Sequence, residues 1–143
     1  MAVVTHIYDA ALADMLGAGI SWTSATINVA LFSASTYTHA DTAYTTTGTE
    51  VANANGYTTG GVAAGTRTVS GSTTQLAKIT GGSGTSVWTA TGAGFSAVAA
   101  KIYISAGHPI AHIDFGGTQT ASGGGTFTIT WDSTNGVFNL ASS

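Results

Sequence analysis

Apolar and polar residues alternate along most of the chain in a pattern that predicts β-strands, and one segment near the start predicts a helix instead. The helix is expected over about 6–16, after Thr5 as N-cap and before Gly17. Its apolar side chains recur at helical spacing, at Tyr8, Leu12, Met15 and Leu16. These positions predict one apolar face that packs on a sheet.

The strand pattern begins at about 26–35. Successive side chains of a strand point to opposite faces of a sheet. Ile27, Val29 and Leu31 are therefore expected to share one face of the first strand.

The segment 35–61 is rich in Thr, Asn and Gly, which favour turns, and it is predicted to be a long excursion with one short strand near Glu50. Further strands are expected over 66–71, 74–80, 86–91, 96–105 and 110–116. About seven or eight strands with regular turn signals indicate an antiparallel sandwich. The predicted fold is mainly β: a single domain over 1–143, an antiparallel β-sandwich of jelly-roll type with one short N-terminal α-helix.

A closing hairpin is predicted over about 126–140. Apolar side chains alternate with threonines in its first strand, at Phe127, Ile129 and Trp131. Asn135 and Gly136 supply the positive φ angles that a tight reversal requires. Phe138 and Leu140 are expected on the same face as Phe127, Ile129 and Trp131.

The composition of the chain predicts a surface with unusually few charges. Only 6% of residues are charged, against roughly 25% in soluble globular proteins, while 43% are hydrophobic. Low charge with high hydrophobicity predicts a folded chain. A surface of Thr, Ser, Ala and Gly is easily desolvated, which favours contact with other protein.

The formal net charge of −3 includes only three cationic side chains, Arg67, Lys78 and Lys101. Nucleic acid is not expected as a partner, because phosphate binding needs clustered Lys and Arg. No apolar run approaches the roughly 20 residues of a membrane helix, and the start of the chain lacks the basic region of a secretory signal. Cysteine is absent, which excludes disulfides and thiolate metal sites.

The segment HPIAHID is the one local cluster of possible metal ligands. In a strand, His108 and His112 would lie about 13 Å apart, too far to share an ion. His112 and Asp114 would lie about 7 Å apart, close enough to pair or to meet ligands from a neighbour. No serine lies in a nucleophile elbow, and the carboxylates are scattered. We predict no catalytic, cofactor or metal site, and no enzyme activity.

Aromatic residues leave a second function open. Trp88 and Trp131 lie in alternating strands, where burial in the core is the usual outcome. Rings that could stack on a sugar are those of Trp22, Tyr37, Tyr44 and Tyr57. The alternative to a structural role is therefore a module that binds a glycan.

Three segments, in order, carry a family resemblance: IYDAALADMLGAGISWTSATINVALFSAS, TEVANANGYTTGG and IAHIDFGGTQTASGGGTFTITWDSTNGVFNL. Together they resemble small virion structural proteins of tailed bacteriophages, similar to capsid decoration or cement proteins. The middle of the chain departs from that pattern, with little charge and much glycine. Positions that the resemblance marks as fold-defining are Trp22, Ile27, Val29, Leu31, Tyr57, Gly60, Ile113, Phe115, Phe127, Ile129, Trp131 and Gly136.

What the resemblance implies is a non-enzymatic protein, made in the host bacterial cytoplasm and located on the capsid surface of the virion. Its expected partners are the major capsid protein and copies of itself in a homo-oligomer, for which a trimer is one arrangement. It would brace neighbouring capsomers against the pressure of the packaged DNA. No cofactor, nucleic acid or membrane contact is implied. The alternative within such a virion is a tail or fibre-tip module that binds a host surface glycan.

Overall fold

A computed structural model describes residues 3–17, 19–65, 67–72, 75–81, 85–105, 107–131 and 138–140. Within them the protein is mainly β, with antiparallel sheets and one short helix. In chain order the elements are β1 (Val4–Ile7), α1 (Asp9–Leu16), β2 (Ile27–Ser35), β3 (Gly48–Glu50), β4 (Val62–Ala63), β5 (Arg67–Ser72), β6 (Gln75–Gly81), β7 (Thr85–Thr89), β8 (Phe95–Ile104), β9 (Pro109–Ala121), β10 (Thr126–Thr130) and β11 (Phe138–Leu140).

The largest sheet has the strand order β1-β9-β8-β2-β3, and β4 also pairs with β2. Two smaller sheets have the orders β10-β7 and β11-β6-β5. The strand expected near Glu50 is confirmed as β3. Strand β9 continues beyond the predicted end at Gly116 as far as Ala121. Gly116 takes a positive φ of 71° where the β8–β9 register shifts, which a residue with a side chain rarely adopts.

The main core lies between the largest sheet and the β10-β7 sheet. Ile27, Val29 and Leu31 are fully buried on one face of β2, as their alternation predicts. They belong to the same apolar cluster as Trp88 of β7 and Phe127 of β10. The two sheets therefore pack as layers, and burial of apolar area, at about 25 cal/mol per Å², favours this arrangement.

The opposite face of the largest sheet is also covered. Ala30 and Phe32 of β2 are fully buried there with Tyr103 of β8. The covering layer is the 35–61 excursion, in which the Tyr44 ring stacks on the Tyr103 ring with centroids 3.8 Å apart. Burial on both faces explains why the sequence of β2 is almost continuously apolar.

The helix begins at Asp9 and not near residue 6. The preceding residues form β1, in which Thr5, the predicted N-cap, pairs with Ile113 of β9. Pairing with β9 provides hydrogen-bond partners that the first turn of a helix would leave unsatisfied. Of the predicted apolar face, Tyr8 is buried and Met15 packs against the core, whereas Leu12 and Leu16 are exposed.

Helix α1 packs within its own subunit, since Tyr8 and Ala11 belong to the main core cluster. The described residues contain no helix with the length and apolar character needed to cross a membrane.

The predicted closing hairpin over 126–140 is corrected by the strand pairing. Strand β10 pairs with β7, placing Phe127 opposite Trp88, whereas β11 pairs with β6, placing Phe138 opposite Ile79. Alternation indicates which side of a strand is apolar but not which strand lies beside it, so sequence proximity was a misleading guide. The Asn135–Gly136 turn lies outside the described residues.

Candidate functional site: buried polar contacts and an open strand edge

The positions that the resemblance marks lie mostly in the core. Those buried are Trp22, Ile27, Val29, Leu31, Tyr57, Ile113, Phe115, Phe127 and Trp131. Ile129 is half-buried against the same cluster, and Gly60 is half-buried in the 35–61 excursion. Gly136 lies outside the described residues. Most of these side chains are therefore placed to pack internally, with little surface available to a partner.

Tyr57 joins the excursion to the sheet. Its hydroxyl accepts a hydrogen bond from the Leu31 backbone N–H at 3.0 Å and donates one to Glu50 Oε1 at 2.6 Å. The same Glu50 oxygen accepts the Gly60 N–H at 2.6 Å. Burial, followed by the Glu50 hydrogen bond, raises the pKa of Tyr57. The phenol is therefore neutral at physiological pH and holds the excursion on β2.

Lys101 is the second connection between the sheet and the excursion. Its fully buried side chain donates from Nζ to the carbonyl oxygens of Thr46, at 2.5 Å, and Thr47, at 3.0 Å. Nζ also lies 3.9 Å from Asp41 Oδ2 and 4.8 Å from the centre of the Phe32 ring. Burial lowers the pKa of Lys101, and Asp41 opposes that shift. These contacts compensate for the water that the ammonium loses.

Asp41 is buried beside this lysine. Its Oδ1 accepts the Thr47 hydroxyl at 3.0 Å, whereas Oδ2 has no hydrogen-bond partner among the described residues. The Tyr8 hydroxyl is likewise buried without a described partner. Burial, followed by the Asp41 charge, raises the pKa of Tyr8. The Lys101 charge is thus what stabilises Asp41 Oδ2 in its buried position.

His112 lies opposite Lys101 on the neighbouring strand β9 and is also buried. Its Nε2 lies 3.1 Å from Ser35 Oγ, which itself donates to the Thr47 carbonyl at 3.3 Å. This geometry assigns the Nε2–H tautomer, with Nε2 donating to Ser35. Burial, followed by the Lys101 charge, lowers the pKa of His112 to about 4. The ring is therefore neutral at pH 7.

The sequence left open a pairing of His112 with Asp114, and in the structure each of the two side chains has a different hydrogen-bond partner. His112 contacts Ser35, while Asp114 Oδ1 accepts the Gly116 N–H at 2.7 Å. No group of three or more His, Asp or Glu side chains in the described part of the chain is placed to hold a metal ion. The buried polar groups therefore hold the 35–61 excursion against the largest sheet.

Sequence reasoning missed this network, although β8 contains a signal for it. Lys101 stands in a strand whose other side chains on the same face, Ala99 and Tyr103, are buried. A single lysine among buried positions indicates a buried partner, because an unpaired buried charge is costly. Nothing in the sequence identifies Asp41 as that partner.

The four rings proposed for sugar stacking are used internally. Trp22 and Tyr57 are buried, and Tyr37 and Tyr44 are half-buried. The face of Tyr44 is occupied by Tyr103. These four side chains do not form an exposed stacking platform.

An open groove of about 650 Å³ lies between β9 and β10. Ile113, Phe115 and Phe127 contribute apolar side chains to it, and the threonines of β10 line its rim. Among the described strands, β10 pairs only with β7. The other edge of β10 therefore borders the groove.

The chain has no match among protein-family models, curated proteins or solved structures. Its function is therefore inferred from its own residues and their arrangement.

Proposed function

We propose that this protein is a non-enzymatic structural component of a bacteriophage virion, a head decoration or cement protein that binds the outer capsid lattice and stabilises it. Its partners would be the major capsid protein and further copies of itself. The proposal includes a β-sandwich of jelly-roll type, supported by the packing of the β10-β7 sheet on the largest sheet. The order of the three resembling segments supports the phage assignment.

The observation that carries the proposal is the internal use of cationic side chains. Lys101 is fully buried against backbone carbonyls. Arg67 donates from Nε to the Trp22 carbonyl at 2.9 Å and from a terminal nitrogen to the Ala25 carbonyl at 2.5 Å. Two of the three cations in the chain thus donate to backbone carbonyls of the chain itself.

The exposed residues in the described part of the chain are mainly Thr, Ser, Gly and Ala. Such a surface has few charges to desolvate on contact with protein, and desolvation of charge is a large cost of association. Adhesion needs no turnover: a protein that binds only the assembled lattice stabilises it by about 2.7 kcal/mol per site at a hundred times its Kd.

Mass spectrometry of purified particles from the encoding phage tests this function. We expect hundreds of copies per virion, and deletion of the gene should give particles that assemble but release DNA at a lower temperature than the parent. Absence from the particle would overturn the proposal. A few copies at the tail, with binding of the isolated protein on a glycan array, would instead support the receptor-binding alternative.

A further inference from the structure

Strand β10 has hydrogen-bonding groups that no described strand satisfies. Just before the strand, the Ala90 N–H donates to the Gly125 carbonyl at 2.8 Å, which marks a hydrogen-bonded pair between the two chain segments. Such pairs alternate along an antiparallel ladder. The backbone N–H and C=O groups of Thr126, Thr128 and Thr130 therefore point away from β7, toward the groove.

Within the part of the chain that the structure describes, this edge lacks the usual protection. Native edge strands are commonly guarded by charged side chains, by proline or by a covering segment. From Phe115 to Trp131 the sequence has no charged residue, no histidine and no proline. The threonine side chains of β10 are exposed, and the groove beside the strand is open. The edge is thus suited to pairing with another strand.

We propose that β10 pairs antiparallel with β10 of a second copy of this chain, about a twofold axis at Thr128. In this register Thr128 lies opposite the partner's Thr128, and the two exchange backbone hydrogen bonds. Thr126 lies opposite the partner's Thr130, with the same exchange. Phe127 then lies opposite the partner's Ile129, on the apolar side of the strand.

The residue pattern of β10 favours its own copy over other partners. The strand reads Thr-Phe-Thr-Ile-Thr, so reversing its direction again places threonine opposite threonine and apolar opposite apolar. The edge offers no charge to an acidic or basic partner, whereas two neutral edges approach each other without repulsion. Pairing also extends the β10-β7 sheet from two strands to four, and two-stranded sheets are marginal by themselves.

A twofold contact of this kind closes on itself. Each copy uses its one open β10 edge for the other, so the contact ends at a dimer and does not propagate. The proposed dimer therefore differs from the trimer that the family resemblance suggests. The inference is independent of the capsid assignment, because it rests on the edge and its residues alone.

Paired charge variants test the register. In the proposed dimer, T126K/T130E places each Lys opposite a Glu, whereas T126K/T130K places each Lys opposite a Lys. Sedimentation velocity over a dilution series should show the wild type and T126K/T130E at twice the 14.2 kDa protomer mass and T126K/T130K at the protomer mass. Equal behaviour of the two variants would overturn the proposed register.

A second pair of variants separates edge pairing from general effects of charge. T128K places two lysines opposite each other at the axis and should abolish the dimer. V87K is its matched control, since Val87 lies opposite Thr128 on β7 and is 42% exposed. That variant adds the same charge away from the open edge and should remain dimeric.

Thr128→Pro supplies an independent measurement. The Thr128 N–H points away from β7, so proline at this position removes an outward donor and leaves the β7 ladder intact. Its circular dichroism should match that of the wild type while the dimer is lost. A wild type that sediments as a monomer at the highest concentration reached, or as a trimer, would overturn the inference.

Discussion

Lys101 Nζ of β8 lies 3.9 Å from Asp41 Oδ2 of the 35–61 excursion, and both side chains are buried. A shorter contact, 2.7 Å between His39 Nδ1 and Asp9 Oδ2, joins side chains that are 68% and 63% exposed. Judged by distance alone, the second contact would stabilise the protein more than the first. Breaking the first pair should nevertheless cost more stability, because water cannot reach a buried charge that has lost its partner, whereas it solvates an exposed one.

Lys101→Met should destabilise the protein strongly. The substitution leaves Asp41 buried without its counter-charge, at a cost of about 3 kcal/mol in the free energy of unfolding. Urea denaturation measures this change. Asp9→Asn, which breaks the exposed pair, is the control and should cost less than about 1 kcal/mol. Equal losses in the two variants would contradict a special role for the buried pair.

Stability should fall as the pH drops from about 6.5 to about 4. In the unfolded chain His112 takes up a proton near pH 6.5, whereas in the folded protein its pKa is lowered to about 4. Protons therefore bind preferentially to the unfolded state in this window, and about 3 kcal/mol of stability is lost across it.

His112→Gln keeps a donor for Ser35 but cannot titrate, so the difference between its unfolding free energy and that of the wild type isolates the His112 contribution. Parallel curves for the wild type and His112→Gln between pH 4 and 6.5 would contradict the assignment.

Tyr57→Phe should loosen the excursion from the sheet. The change removes the oxygen that accepts the buried Leu31 N–H and the donor to Glu50. An unsatisfied buried N–H costs about 1–3 kcal/mol, and thermal unfolding should show the loss. Glu50→Gln retains an acceptor for Tyr57 and should cost less; a larger loss in Glu50→Gln would place the important contact elsewhere.

Gly61→Ala should be among the most damaging single substitutions. Gly61 has a φ of +67°, and an added Cβ would lie 1.8 Å from the Val29 carbonyl oxygen, so β2 must shift to accept it. Gly107 also has a positive φ, +95°, but its Cβ would meet nothing within 4 Å. We expect Gly107→Ala to cost about 1–2 kcal/mol from backbone strain and Gly61→Ala to cost about 4 kcal/mol.

Guanidinium denaturation of both glycine variants provides the comparison. Because the two positions share a left-handed backbone, their difference measures the close approach of the excursion to β2. Similar losses of unfolding free energy in both variants would show that the excursion can move away from β2 without shifting that strand.

Much of the β architecture was predictable from local pattern. The alternation at Ile27, Val29 and Leu31 predicted the face that is buried, and the turn-rich composition of 35–61 predicted an excursion with a strand near Glu50. Of the candidate site, the sequence indicated only that His112 lies on a strand. Its contact with Ser35, and the Lys101–Asp41 pair, join segments far apart in sequence, and no local pattern encodes such contacts.

By itself, the sequence determined most of the segments that are extended and the buried face of β2, because both depend on residues within a few positions of each other. Only the tertiary structure decided the partners of these segments. Thr5 lies in β1 and not at a helix start because β9 supplies its hydrogen bonds. Phe127 faces Trp88 and not a strand of its own hairpin because backbone groups pair with any strand that packing brings alongside. The open edge of β10 likewise follows from the pairing of this strand with β7 alone among the described strands.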